Sequence, residues 1–252
     1  MKISGKYTYK WKDIKWLDFI LPVIYLVSTF ALSLICSIFV FILYLGTENK
    51  AFQMNDHMLN MIQLIVDLIA FIILFGTWML FYRRSFKDRL TQGIKHMKRY
   101  WKLIILTFIV LFILKAIYPE LVDLFAPESW KFDETENDKL IEQMFATPFS
   151  TFLAFFSIVI IAPINEEFLF RHLLIGELGK KFSFTLMSII SVIIFASLHV
   201  TEAKSPLEIV MYLIIAIGLA YVYLKSGRKL SVAIALHALN NLIAYCAMVF
   251  MG

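Results

Sequence analysis

Charge is what this sequence has least of. Of its 252 residues, 17% are charged, against roughly 25% in an ordinary soluble domain. A soluble body of this length needs a polar skin that the chain does not possess. Cysteine is almost as scarce: Cys36 and Cys246 stand alone, each inside an apolar run. Without a CxxC or a Cys/His cluster, neither a disulfide framework nor a thiolate zinc site is supported, and both thiols read as packing residues. The sequence also lacks a GxSxG elbow and an HExxH pair, which leaves the common serine-nucleophile and zincin routes without support. It has no internal repeat, no low-complexity tract and no nucleic-acid signature, since its net charge of +5 is spread over connecting segments.

Hydrophobic residues are what the chain has instead. They make up 60% of it, with 24 phenylalanines, and the mean hydropathy is +0.77. Long uncharged runs of this kind predict an all-α, polytopic transmembrane helical bundle of about seven or eight membrane helices. Residues 1–18 are polar with five lysines, and an apolar run from Phe19 to Leu45 follows. That run is too long for a cleaved signal peptide and reads as a retained anchor. Further spans are expected at Leu59 to Tyr82 and Trp101 to Tyr118, then an acidic external loop over residues 119–148 with a short surface helix. Apolar character resumes over Phe149 to Leu178, Phe184 to Val200, Leu207 to Leu224 and Leu230 to Met251. Pro163 interrupts the first of these, which counts as one span or as two elements broken near the proline. The organisation is therefore 1–148, three amino-terminal membrane spans plus the acidic loop, and 149–252, a carboxyl-terminal membrane core.

Lysine and arginine in the connections set an orientation. With seven crossings, eighteen of them fall on one side and four (Lys50, Lys131, Lys139, Lys204) on the other. The positive-inside rule then places the amino terminus in the cytoplasm.

Within the spans, polar residues cluster in the carboxyl-terminal half, beginning with APINEEFLFR at residues 162–171. A charge at the centre of a bilayer costs at least ~2.5 kcal/mol, so Glu166, Glu167 and Arg171 need a reason to be there. Glu167 and Arg171, four residues apart, lie about 40° from each other around a helix and can form an ion pair on one face. Glu166 points elsewhere and stays available for chemistry. His237 and Asn241 share a face, as do Phe195 and His199, so three elements can aim Glu166, His199 and a His237/Asn241 pair at one point. A carboxylate and an imidazole sharing one water can deprotonate it as it attacks a carbonyl carbon, and an imidazole N–H with an Asn amide can bind the oxyanion. Asn240 reads as a packing amide, and His172 as a neighbour of the site or of the surface. Asp67 and Lys115 read as structural or as facing a water-filled cavity.

Three motifs then carry a resemblance: EEFLFR at 166–171 to Glu-Glu-x-x-x-Arg, FASLH at 195–199 to Phe-x-x-x-His, and HALNN at 237–241 to His-x-x-x-Asn. In this order, on membrane helices, they resemble the CPBP family of type II CAAX prenyl proteases and bacteriocin-processing (Abi) enzymes, over about residues 149–245. The resemblance implies a metal-independent glutamate intramembrane protease with no cofactor. It implies Glu166 as the base acting with His199, His237 and Asn241 as the oxyanion hole, and Glu167 and Arg171 as a supporting pair. The implied substrate is a membrane-associated peptide or small protein, in a bacterial cell membrane: a bacteriocin leader, a pheromone precursor or a prenylated carboxyl terminus. Two other readings stay open. One is a zinc-dependent protease built on the same Glu and His residues, and the other is a non-catalytic immunity or regulatory adaptor.

Overall fold

Backbone polar groups in hydrocarbon find no partner except other backbone, and the uncharged runs of this chain accordingly fold as helices. The structure, a computed structural model, describes residues 9–46 and 55–251. Lys2, Lys6 and Lys50, which enter the charge asymmetry, lie outside the described residues. Among the described residues there is no strand. The helices are α1 (Ile20–Gly46), α2 (Asp56–Phe81), α3 (Phe86–Arg99), α4 (Trp101–Phe125), the short α5 (Glu136–Glu142), the composite α6 (Pro148–Phe182), α7 (Phe184–Leu198), α8 (Glu208–Lys225) and α9 (Leu230–Met251). Six apolar segments are long enough to cross a membrane, and α7 is a shorter apolar helix. The chain is an integral, multi-pass membrane protein.

Two expectations need correction. The basic stretch after α2 is not a plain loop but the helix α3, polar along most of its length. The third span does not stop at Tyr118: α4 carries Pro119 in its interior and runs on to Phe125. Pro119 removes one hydrogen bond, to the carbonyl four residues back, but does not turn the chain aside. Of the two readings of the span around Pro163, the unbroken one holds. From Pro148 to Phe182 the chain is one continuous helical segment that switches to π geometry twice, over Phe156–Ile161 and Phe168–Leu178. Its start is fixed by a reciprocal cap in which Ser150 N–H donates to Thr147 Oγ1 at 3.1 Å and Thr147 N–H donates to Ser150 Oγ at 3.0 Å, with Pro148 at the first helical position.

The core lies among α4, α6, α7, α8 and α9, with Ile175, Phe195, Ala216, Leu219, Val232 and Leu236 all at most 1% exposed. Small residues bring these helices close, as association inside a bilayer requires. Gly218 lets α8 approach α4, since a Cβ there would stand 2.7 Å from Leu111 Cδ2. α1 packs chiefly on α2 and turns residues such as Phe30 outward. Two tight connections organise the core. Ser183 alone joins α6 to α7, at φ 87°, and Gly227 (φ 73°) with Arg228 (φ 64°) turns α8 into α9.

Candidate active site

Proline 163 has a local consequence that reaches the site. In the π stretch before it, Ala162 N–H donates to the carbonyl of Ser157, five residues back. The next bond in that register would run from residue 163 to Ile158, and proline has no N–H to give. The Ile158 carbonyl is instead taken by Asn241 Nδ2 from α9, at 2.9 Å. The second π stretch does likewise: the Phe170 carbonyl accepts from Ser191 Oγ on α7 at 2.9 Å. Both distortions thus tie α6 to a neighbour, a common use of π geometry within helices.

One turn beyond Pro163 the two glutamates diverge. Glu167 is fully buried, and its Oε1 lies 3.1 Å from the guanidinium of Arg171, itself fully buried. Arg171 also donates to the Ala216 carbonyl at 3.2 Å and lies over the Phe195 ring. The same Oε1 is 2.9 Å from His237 Nδ1. Carboxylate, guanidinium and imidazole therefore form one buried chain. Glu166 keeps a side chain 27% exposed, toward the cavity. Its Oε2 is 3.9 Å from His199 Nε2 and 3.8 Å from His237 Nε2, and it has no hydrogen-bond partner in the protein.

The tautomers follow from the partners of the other ring nitrogens. His199 Nδ1 is 2.8 Å from the Phe195 carbonyl, which can only accept, so Nδ1 carries the hydrogen. His237 Nδ1 faces a carboxylate paired with Arg171 and is likewise the donor. Both Nε2 atoms are thereby left for the cavity. The His199 ring is held flat between Phe195 and Tyr212, at centroid distances of 4.5 and 5.0 Å. α7 has 15 residues and so rises only about 22 Å, short of the ~30 Å hydrocarbon layer. A helix this short ends inside the protein, which is how His199, just past that end, comes level with His237 in the middle of α9.

The structure therefore brings Glu166, His199 and His237 together around one cavity of ≈ 240 Å³, with Asn241 on its wall. Glu167 and Arg171 lie behind it. Asn240 also lines the cavity and donates to Asn241 Oδ1 at 3.1 Å. His172 is elsewhere, 2.7 Å from Asp18, and Asp67 accepts from Gln63. Lys115 does face the cavity. A zinc site would need the second glutamate free to act as base, yet Glu167 is committed to Arg171 and His237. Among the described residues no three His, Cys, Asp or Glu side chains are grouped to hold a metal ion.

The acidic connection after α4 was expected as an external loop, and it folds back over the cavity mouth. Thr135 Oγ1 and Tyr212 Oη hydrogen-bond at 2.8 Å. Glu208 Oε2 accepts from Glu136 N–H at 2.9 Å. Its Oε1 accepts from Lys204 and Ser205 N–H at 3.1 and 3.0 Å. Asp138 thereby reaches the cavity wall, where burial pushes its carboxyl above the ordinary range against the opposing pull of a Thr135 hydrogen bond and the Lys115 charge. Tyr212 and Glu208 were missed in the sequence. A carboxylate at the first turn of a span, four residues before a tyrosine, was the available signal.

Residues 148–243 match the family model described as type II CAAX prenyl endopeptidase Rce1-like. No curated protein and no solved structure matches the chain.

Proposed function

Residues 148–243 being a region of the CPBP family, of the CAAX-protease type, we propose that the chain is an intramembrane endopeptidase in which Glu166 and His199 activate water against a peptide bond. The observation that carries this reading is the spacing around Glu166 Oε2. At 3.8 and 3.9 Å from two imidazole nitrogens, it is too far for direct hydrogen bonds and well set for a water oxygen within about 2.8 Å of Glu166 and of either imidazole.

In this mechanism the water gives its proton to Glu166 as its oxygen bonds to the scissile carbonyl carbon. His199, fixed between two rings with Nε2 forward, orients that water. The tetrahedral oxyanion accepts from Asn241, whose Nδ2 has a second hydrogen beyond the one given to Ile158. His237 Nε2 is the other member of the proposed oxyanion hole, its ring held at Nδ1 by Glu167 Oε1. The proton held by Glu166 then passes to the departing amine nitrogen as the C–N bond breaks. No metal takes part in any step. Glu167 and Arg171 position His237 and do not touch the substrate.

The substrate is a peptide or small protein associated with the membrane: a bacterial pheromone precursor or bacteriocin leader, or a prenylated carboxyl terminus. The test compares membrane peptides by mass spectrometry in cells making the native chain or Glu166→Gln. Fragments that vanish with Glu166→Gln, at equal protein abundance and unchanged by a zinc chelator, are expected. An unchanged peptide pattern would sink the protease reading and leave the adaptor. Loss of the fragments on chelation, with recovery on adding zinc, would favour the metal-dependent route.

A further inference from the structure

The two ends of the bundle differ in charge, and the cavity is lined toward one of them. The basic end collects the amino-terminal segment, α3 with its flanks, Lys180 and Lys181 at the α6–α7 turn, and Lys225 to Lys229 at the α8–α9 turn. Contacts join these pieces at the same end. Lys180 Nζ donates to the Asp13 carbonyl at 2.8 Å, Lys15 N–H donates to Glu177 at 2.8 Å, and Gly93 of α3 lies against Ser231 at the start of α9. The cavity is lined from the opposite end: by Lys115 late in α4, the 135–144 segment, Ser157 early in α6, His199 after α7, Tyr212 early in α8 and Met248 late in α9. Between the cavity and the basic end the core is sealed, with Ile175, Val222, Val232 and Ala233 all fully buried.

From this arrangement we infer that the catalytic cavity opens on the non-cytoplasmic face and takes its substrate there: a peptide carried by an exported or externally presented chain. Basic connections are retained in the cytoplasm, and here, among the described residues, sixteen of the connecting lysines and arginines lie on the end away from the cavity against three on its own. A carboxyl terminus prenylated in the cytosol does not reach Glu166 from the basic end, because the packed core stands in its way. This narrows the substrate class left open above and rests on the protease reading. The facing itself is independent of catalysis and can be tested separately.

The test uses the full chain with Cys36 and Cys246 replaced by alanine and a single cysteine introduced at one position. Asp133→Cys and Glu202→Cys report the cavity end, Asn137→Cys the cavity wall, and Lys87→Cys and Lys98→Cys the basic end. A membrane-impermeant maleimide is added to right-side-out membranes, and again after permeabilisation. The expected result is labelling of the first three at least tenfold faster than the last two in sealed membranes, with the difference lost on permeabilisation. Labelling of the basic end instead, or of both ends equally, would overturn the inference. Repeating the series with Glu166→Gln keeps the two readings apart, since the facing must persist in a chain that no longer cleaves. Normal labelling with no Glu166-dependent fragments would remove the protease reading alone.

Discussion

Two adjacent glutamates in one helix have opposite environments, and the difference predicts how each fails. Among the described residues Glu167 is the sole acidic neighbour within ion-pair distance of Arg171, and it also holds His237 in place. Removing it leaves a buried guanidinium with a carbonyl, two aromatic rings and the more distant Glu166, but no direct ion-pair partner. Breaking one side of a buried pair typically costs about 3–5 kcal/mol. Glu167→Ala is therefore expected to lower the thermal unfolding midpoint in detergent and the amount of protein in the membrane. Glu166→Gln keeps the shape of a partly exposed side chain with no hydrogen-bonding partner on Oε2 and is expected to change stability by less than about 1 kcal/mol. Tryptophan fluorescence during heating distinguishes the two. Equal destabilisation by both would show that Glu166 is itself part of the structural chain.

At the scale of the helix, Pro163, the π stretch before it and Asn241 act as one device. The Ile158 carbonyl depends on Asn241 because residue 163 lacks an N–H. Asn241→Ala alone strands that carbonyl and is expected to cost about 1–3 kcal/mol. Pro163→Ala supplies the missing donor within α6, so the asparagine change should cost distinctly less in that background. A double-mutant cycle on unfolding midpoints measures the coupling, about 1 kcal/mol or more for groups that share a partner. Purely additive changes would show that Asn241 holds nothing in α6. The motif residues and most span limits were legible in the sequence because each depends on local spacing or on unbroken hydropathy. The buried chain from Arg171 through Glu167 to His237 was only half legible. Helical spacing gives the first pair, whereas the second joins α6 to α9 and depends on how those helices cross. The π stretches were not legible, since a carbonyl displaced from its ladder leaves no mark on composition. Nor was the fold-back of the acidic segment, where Glu208 gathers three backbone N–H groups from two separate loops.

Over the whole molecule, the region matching the protease family supplies every residue proposed for the chemistry but not every wall of the cavity. Lys115 and the 135–144 segment come from outside it. The first part of the chain is also fastened to the second by specific contacts. Tyr118 Oη donates to the Leu207 carbonyl at 2.9 Å, Glu136 N–H reaches Glu208, Leu64 packs with Leu153 and Ala154, and Leu111 fits against Gly218. Inside a bilayer, helices that have already crossed associate through such packing and hydrogen bonds, without needing a covalent link. A cut between Ala146 and Thr147 preserves the Thr147 cap of α6 and severs no span. Residues 147–252 made alone are expected to be scarce in the membrane and to yield none of the Glu166-dependent fragments. Making residues 1–146 in the same cells is expected to restore both abundance and cleavage, measured by immunoblot and by the same peptide survey. Full activity from residues 147–252 alone would show that α4 and the acidic segment are dispensable walls, and that the cavity is complete within the carboxyl-terminal helices.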